Sequence, residues 1–306
     1  MRARWLSLWL LTGCVTELDL SSVESEVIGG QRTAAGKFAG VGALMYDFGG
    51  GQPMFGCTGT LIAPDAVLTA AHCVDPQLVG DGVPGFTLAL DTNAGPVTVT
   101  PGRMKIKHEQ FALVNPGRGL GEFHDVGIVL LAQPITEVAP VPMVRPQDSA
   151  ALAAGLAMEI VGYGRTSTQT NDGGVMFDAA TQLISINPSE LQVGMGSPQP
   201  QNCNGDSGGP GFATIDGVRR IIGTVSRSFD GNECVNGGVD TRVDTYLPWI
   251  HSKITTGIPC DSGMAEPCPV PEEDEDGGGC CSGSRGAPGG ALLAFALGGL
   301  LLRRRR

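Results

Sequence analysis

Ser207 sits in Gly205-Asp206-Ser207-Gly208-Gly209-Pro210, between tight-turning glycines and directly after a carboxylate. A serine hydroxyl is too weak an acid to act alone as a nucleophile at neutral pH. It needs a base within hydrogen-bond reach, and that base needs its tautomer fixed by a third group. Two upstream stretches supply those residue types, Thr69-Ala70-Ala71-His72-Cys73 and His124-Asp125-Val126-Gly127-Ile128. Together the three side chains suit acyl transfer, with Ser207 as nucleophile, His72 as base and Asp125 as orienting acid. The other histidines, His108, His124 and His251, read as surface or structural residues. No metal-ligand spacing appears, so neither a metal nor a cofactor is expected.

The chain order His, Asp, Ser excludes the subtilisin order and the α/β-hydrolase order. These words in this order, with their flanking residues, resemble the trypsin/chymotrypsin family of serine proteases from about Val27 to about Ile254. The resemblance implies a serine endopeptidase that works through an acyl-enzyme. Ser207 would attack the peptide carbonyl, His72 would take and return the proton, and Asp125 would hold the imidazole. Backbone N–H groups of Gly205 and Ser207 would bind the oxyanion. Val27-Ile28-Gly29-Gly30 resembles the family's mature N-terminus. That implies a zymogen cut between Glu26 and Val27, whose new ammonium pairs with Asp206. Cys57 with Cys73, and Cys203 with Cys234, match the family's bridges behind the catalytic histidine and around the specificity pocket. The implied partners are protein or peptide substrates and an activating protease, whether another enzyme or the chain itself. A catalytically inactive surface binding module on the same fold is the alternative. Such proteins usually lose a triad member, and this chain keeps all three.

The same resemblance puts the pocket floor six residues before the nucleophile, at Gln201. Trypsin-like enzymes have an aspartate there to pair with Arg or Lys at P1, the residue before the cut bond. A neutral amide removes that ion pair, so the P1 preference is expected to differ from that of classical trypsin. Ser226, Arg227 and Ser228 would form the wall, with Gly238 opposite. Ser228 replaces a glycine that keeps the pocket open, which disfavours large aromatic P1 side chains. Gln201, Asn202, Arg227 and Ser228 would make a polar rim for an amide or acidic P1, and Glu26 before the activation point would suit self-activation.

The elements that must hold these residues are short strands. The 47 glycines and 21 prolines favour many strands and turns over long helices. Apolar runs at Val41 to Phe48, Phe55 to Ile62, Ala66 to Thr69, Phe86 to Leu90, Val97 to Thr100, Val126 to Leu131, Met158 to Val161, Ile221 to Ser226 and Gly238 to Val243 are broken by Gly, Pro and Asp. A helical period appears only at Asp244 to Ile254. The resemblance gives this pattern its architecture, an all-β fold of two packed six-stranded antiparallel β-barrels with a short C-terminal helix. Pro140 to Ala150 would connect the barrels. The net charge of −11 argues against non-specific nucleic-acid binding.

The ends have a different character. Residues 1–14 carry Arg2, Arg4 and a short apolar run from Trp5 to Leu11, as an export signal does. Leu11-Thr12-Gly13-Cys14 resembles a bacterial lipobox, which implies a lipid on Cys14; an ordinary secretory signal is the plainer alternative. Residues 15–26 would be a propeptide, and 27–254 the protease domain. Residues 255–279 form an acidic, Pro- and Gly-rich linker, better read as a solvated spacer than as a calcium loop. In the segment 280–306, Cys280 and Cys281 precede the apolar run Ala291 to Leu302 and four arginines. This resembles the C-terminal sorting tail of myxobacterial surface proteins, and implies processing near the cysteines; a plain membrane anchor is the alternative. Export is expected, with the protein at the cell surface, on the outer membrane, or extracellular after processing. Nine cysteines fit such an oxidising compartment.

Overall fold

The computed structural model describes residues 27–254, except Ile28, Gln52, Ala89, Pro96, 114–116, 166–172, 197–199 and 232–233. Cys14, Glu26, Cys280, Cys281 and the expected signal, propeptide, linker and tail lie outside the described residues. Among the described residues no helix is long and apolar enough to cross a membrane.

Two antiparallel sheets make the domain. The first contains β2 (Val41–Tyr46), β3 (Met54–Ala63), β4 (Ala66–Thr69), β5 (Gly85–Thr87), β6 (Gly102–Lys107) and β7 (Gly127–Leu131), in the order β5-β2-β3-β4-β7-β6. An isolated bridge joins Phe86 of β5 to Thr100, just ahead of β6. The second runs β1-β9-β10-β13-β12-β11-β8, from β1 (Gln31–Arg32), β8 (Ala157–Gly162), β9 (Phe177–Ile186), β10 (Glu190–Val193), β11 (Pro210–Ile215), β12 (Val218–Ser228) and β13 (Gly238–Arg242). In it β8 also pairs with β9, which closes six of the strands into a ring. The expected all-β class and two-sheet architecture are present, as a closed six-stranded barrel beside a curled sheet.

β2, β4 and β7 are buried along their whole lengths, and their apolar runs need cover on both faces. The strands of the closed barrel bury Ile160, Leu183, Leu191, Phe212, Ile221 and Val239. The link between the sheets includes a 3₁₀ turn at Pro146–Ala151. Its Asp148 is buried and takes two hydrogen bonds from the Arg145 guanidinium, at 2.8 and 2.9 Å. The fully buried Arg220 of β12 lies 3.6 Å from the same carboxylate. Removing one partner of a buried ion pair costs about 3–5 kcal/mol. Asp148→Ala is therefore expected to lower the unfolding free energy by about 3 kcal/mol. Urea unfolding checks this, and a change near zero would mean that Asp148 does not hold Arg220.

The helix α1 (Val243–Lys253) is the last element among the described residues and buries Tyr246, Leu247 and Ile250. It grips the segment that leads into β7. Tyr246 Oη lies 2.8 Å from His124 Nδ1, and His124 stacks on His108 with ring centroids 5.1 Å apart. Trp249 and Lys253 both reach Glu109, each at 2.6 Å. His108 and His124 thus pack the helix against the strand that presents Asp125.

Candidate active site

His72 follows β4 in a tight turn, where Cys73 and Val74 donate backbone bonds to Ala70 and Ala71. The Cys57–Cys73 disulfide ties this turn to β3, and Tyr46 Oη caps the Cys73 carbonyl at 2.9 Å. Asp125 stands just ahead of β7 and is almost wholly buried. Its carboxylate is held on both sides of His72: Oδ1 accepts from the His72 backbone N–H at 2.9 Å, and Oδ2 lies 2.8 Å from His72 Nδ1. The Ser226 hydroxyl donates to Oδ2 at 2.6 Å, and Thr241 donates to the Asp125 carbonyl at 3.0 Å. Burial favours a neutral Asp125, but the neighbouring His72 and the three hydrogen bonds outweigh it and hold the pKa below the ordinary value. Burial likewise opposes a charged His72, yet Asp125 prevails and raises the imidazole pKa.

Ser207 lies on the loop between the second sheet's β10 and β11 and shares a cleft with His72, Asn202, Ser226, Arg227 and Ser228. No Ser207–His72 hydrogen bond forms among the described residues; such contacts often tighten only when substrate arrives. The loop is pinned to the first sheet. Thr58 N–H donates to Ser207 O at 2.9 Å, and Thr58 Oγ1 donates to Gly205 O at 2.9 Å. Two glycines permit this. Gly208 has φ +78°, and a β-carbon there would fall 2.0 Å from Thr69 Oγ1. Gly205 has φ +100°, and a β-carbon there would meet Gly164 Cα at 2.8 Å. Both conformations are strained for any residue with a side chain. Among the described residues the Gly205 and Ser207 N–H groups donate to no protein acceptor.

Asp206 points away from the cleft into the second barrel and is fully buried. Cys203 N–H reaches its Oδ2 at 2.7 Å and Gly164 N–H its Oδ1 at 2.9 Å. No side-chain cation pairs with it among the described residues. Burial outweighs the two backbone donors and pushes its carboxyl up to about 7. Val27 is also fully buried, and its carbonyl accepts from Gly30 N–H.

The expected pocket residues divide in the structure. Cys203 and Cys234 are bridged. Gln201 is buried, and its amide joins two backbone segments, donating to Cys234 O at 2.9 Å and accepting from Gly237 N–H at 2.5 Å. Ser226 lines the cleft, but its hydroxyl serves Asp125. Arg227 corrects the expected acid-binding rim. Its guanidinium makes a two-point pair with the buried Glu190 at 2.6 and 2.8 Å, bonds Gly119 O at 3.1 Å, and lies over the Phe123 ring. Glu190 also accepts from Gly121 N–H at 2.6 Å. The charge expected to attract an acidic side chain is already neutralised within the protein. Sequence reasoning missed Glu190, 37 residues from Arg227, because no local pattern pairs them.

The chain is similar to known proteases over this region. The family described as Trypsin matches residues 27–250. CLIP domain-containing serine protease B10 of Anopheles gambiae is 30% identical over 274 residues, which cover 78% of this chain and 72% of that protein. Chymotrypsin-like elastase family member 1 of Canis lupus familiaris is 28% identical over 253 residues, covering 78% of this chain and 96% of its own length. The Homo sapiens protein of the same name gives the same figures, 28% over 253 residues with 78% and 96% covered.

Proposed function

The chain belongs to the trypsin family of serine proteases, and from that premise we propose that it is an endopeptidase whose triad is His72, Asp125 and Ser207. The observation that carries this reading is the twice-bonded His72–Asp125 pair facing Ser207 across one cleft. Asp125 holds Nδ1 as the protonated nitrogen, which leaves Nε2 to accept the proton of Ser207. Ser207 Oγ then bonds to the peptide carbonyl carbon. The oxyanion is received by the Gly205 and Ser207 N–H groups, which are free of protein acceptors among the described residues. His72 returns its proton to the leaving amine. Water enters by the same route, giving up a proton to His72 and releasing the acid product and Ser207.

The precursor is inactive in this proposal. Cutting between Glu26 and Val27 frees an α-ammonium that enters the barrel and pairs with Asp206. Support comes from the burial of both residues and from a carboxylate that pairs with no side-chain cation among the described residues. The lipobox-like Cys14 lies within the part removed, so activation would release the protease from any N-terminal lipid. Only the segment 280–306 would then hold it to a surface, as its likeness to a myxobacterial sorting tail suggests.

A fluorophosphonate probe tests the reading. Mature protein beginning at Val27 is expected to label with one probe per chain, and its Ser207→Ala variant not at all. No labelling of mature protein, or labelling that survives in the variant, would support the inactive binding module instead. Full labelling of protein that still begins at Cys14 would overturn the activation step alone.

A further inference from the structure

Gly205 and Ser207, whose N–H groups have no protein acceptor among the described residues, both have their carbonyls held by Thr58. The Thr58 backbone N–H donates to Ser207 O and the Thr58 hydroxyl to Gly205 O, each at 2.9 Å. Thr58 lies on β3 and is fully buried. Its hydroxyl oxygen also accepts from Tyr163 N–H at 3.1 Å. A hydroxyl has a single proton to give. Tyr163 N–H is itself a donor, so that proton goes to Gly205 O. The Thr58 carbonyl accepts from the Thr69 hydroxyl at 3.0 Å, which ties it to the strand leading to His72.

The peptide between Gly205 and Asp206 lies between the two oxyanion donors in the chain. Its carbonyl is held by the Thr58 hydroxyl, and its N–H donates to Cys203 O at 3.0 Å. Gly205 has no side chain, so its own sterics resist rotation weakly. The restraint must come from its neighbours, and on the carbonyl side Thr58 supplies it. The Thr58 side chain has little freedom of its own. A β-carbon on Gly209 would lie 3.2 Å from Thr58 Cγ2, so the methyl is packed while the hydroxyl sits between Tyr163 and Gly205. Without the hydroxyl, Gly205 O and Tyr163 N–H lose the partner they share.

We infer that Thr58 is a positioning residue for catalysis: its hydroxyl fixes the Gly205–Asp206 peptide so that the Gly205 and Ser207 N–H groups converge on one oxyanion. Thr58 touches no reacting atom and acts through Gly205. The inference rests on the protease reading above. The device is separate from the Asp206 switch, because the hydroxyl bond needs no cut before Val27. Losing a whole oxyanion donor costs about 10²–10³ in kcat, and a donor kept but misaligned costs part of that.

The test uses mature protein and the best-cleaved peptide of a fluorogenic library, with rates expressed per fluorophosphonate-titrated site. Thr58→Val keeps the backbone N–H and the volume but removes the hydroxyl. It is expected to lower kcat by about 30-fold and leave KM unchanged. Thr58→Ser, which keeps the hydroxyl, is expected to stay close to the parent. A peptidyl trifluoromethyl ketone of the same sequence supplies a second readout, because Ser207 adds to it and forms a tetrahedral oxyanion. Its inhibition constant is expected to rise in Thr58→Val by the factor that kcat/KM falls. Where Thr58→Val does not fold, Thr58→Ala makes the same comparison with a smaller side chain. A variant that only lowers the number of titrated sites, with unchanged turnover per site, overturns the inference and leaves the protease reading standing. So does a rise in KM at constant kcat, or a Thr58→Ser protein as slow as Thr58→Val. Parent protein that does not label overturns both.

Discussion

Ser207→Ala is expected to lower kcat/KM on peptide substrates by on the order of 10⁶-fold, and His72→Ala by a similar factor. The size follows from the division of labour. Without Ser207 no acyl-enzyme forms; without His72 the hydroxyl stays protonated. Each change removes the whole covalent route, so the double variant should be hardly worse than either single one. What survives is oxyanion binding by Gly205 and Ser207 N–H groups, because Ser207→Ala keeps its backbone donor. Asp125→Asn should be milder, about 10⁴-fold, as in other serine proteases with this triad. An asparagine can present its amide to His72 Nδ1 and stabilise the wrong tautomer. Independent, multiplying effects of Ser207→Ala and His72→Ala in single-turnover assays would contradict a shared catalytic unit.

The same pair sets the acid limb of activity. Asp125 raises the His72 pKa above its ordinary 6.5 against the effect of burial. The base must be neutral to accept a proton, so kcat/KM rises with pH as His72 loses its charge. Asp125→Asn removes the carboxylate responsible, and this limb then moves to lower pH.

The triad was legible in the sequence because each member sits inside a local word, and chain order relates the three. The strands around it were legible where one composition runs unbroken, as at Val41–Tyr46, Ala66–Thr69 and Gly127–Leu131. β6 escaped notice because Arg103, Lys105 and Lys107 interrupt its apolar residues on a strand with no fully buried position. β9 escaped because it buries Asp178, which Lys37 answers from across the fold. The expected Val97 to Thr100 strand contributes only the bridge at Thr100. The pocket was the least legible part. Arg227 looks available for substrate until Glu190 appears beside it. The two lie far apart in the chain, and charge compensation of that kind leaves no periodic trace.

Asp206→Asn in protein beginning at Val27 is expected to reduce kcat/KM by about 10³-fold, comparable to losing an oxyanion donor, while the fold persists. Asp206 neighbours Ser207 in sequence but points the other way, so its effect must pass through the loop it anchors. Cys203 N–H and Gly164 N–H already hold the carboxylate from two sides. The α-ammonium of Val27 would add the charge that burial demands and bias the loop toward aligned Gly205 and Ser207 donors. Stability against pH separates this account from a purely local one. In the uncut chain the folded-state pKa of Asp206 is raised from 3.8 to about 7. An acid with a raised folded pKa binds its proton more tightly when folded, so stability falls as pH rises from about 4 to 7 and levels off above. At 1.36 kcal/mol per unit the fall is on the order of 4 kcal/mol. Asp206→Asn in the uncut Ser207→Ala protein should remove that fall, while the contribution of Asp240, whose carboxyl burial pushes up to about 8, stays in both and cancels. Cutting before Val27 should also remove it, because the new ammonium lowers the Asp206 pKa and favours its ionised form. Thermal unfolding of cut and uncut Ser207→Ala protein between pH 4 and 8 measures the difference. Identical pH slopes in the two would mean that the Val27 amine never reaches Asp206, and the activation switch would fall with it.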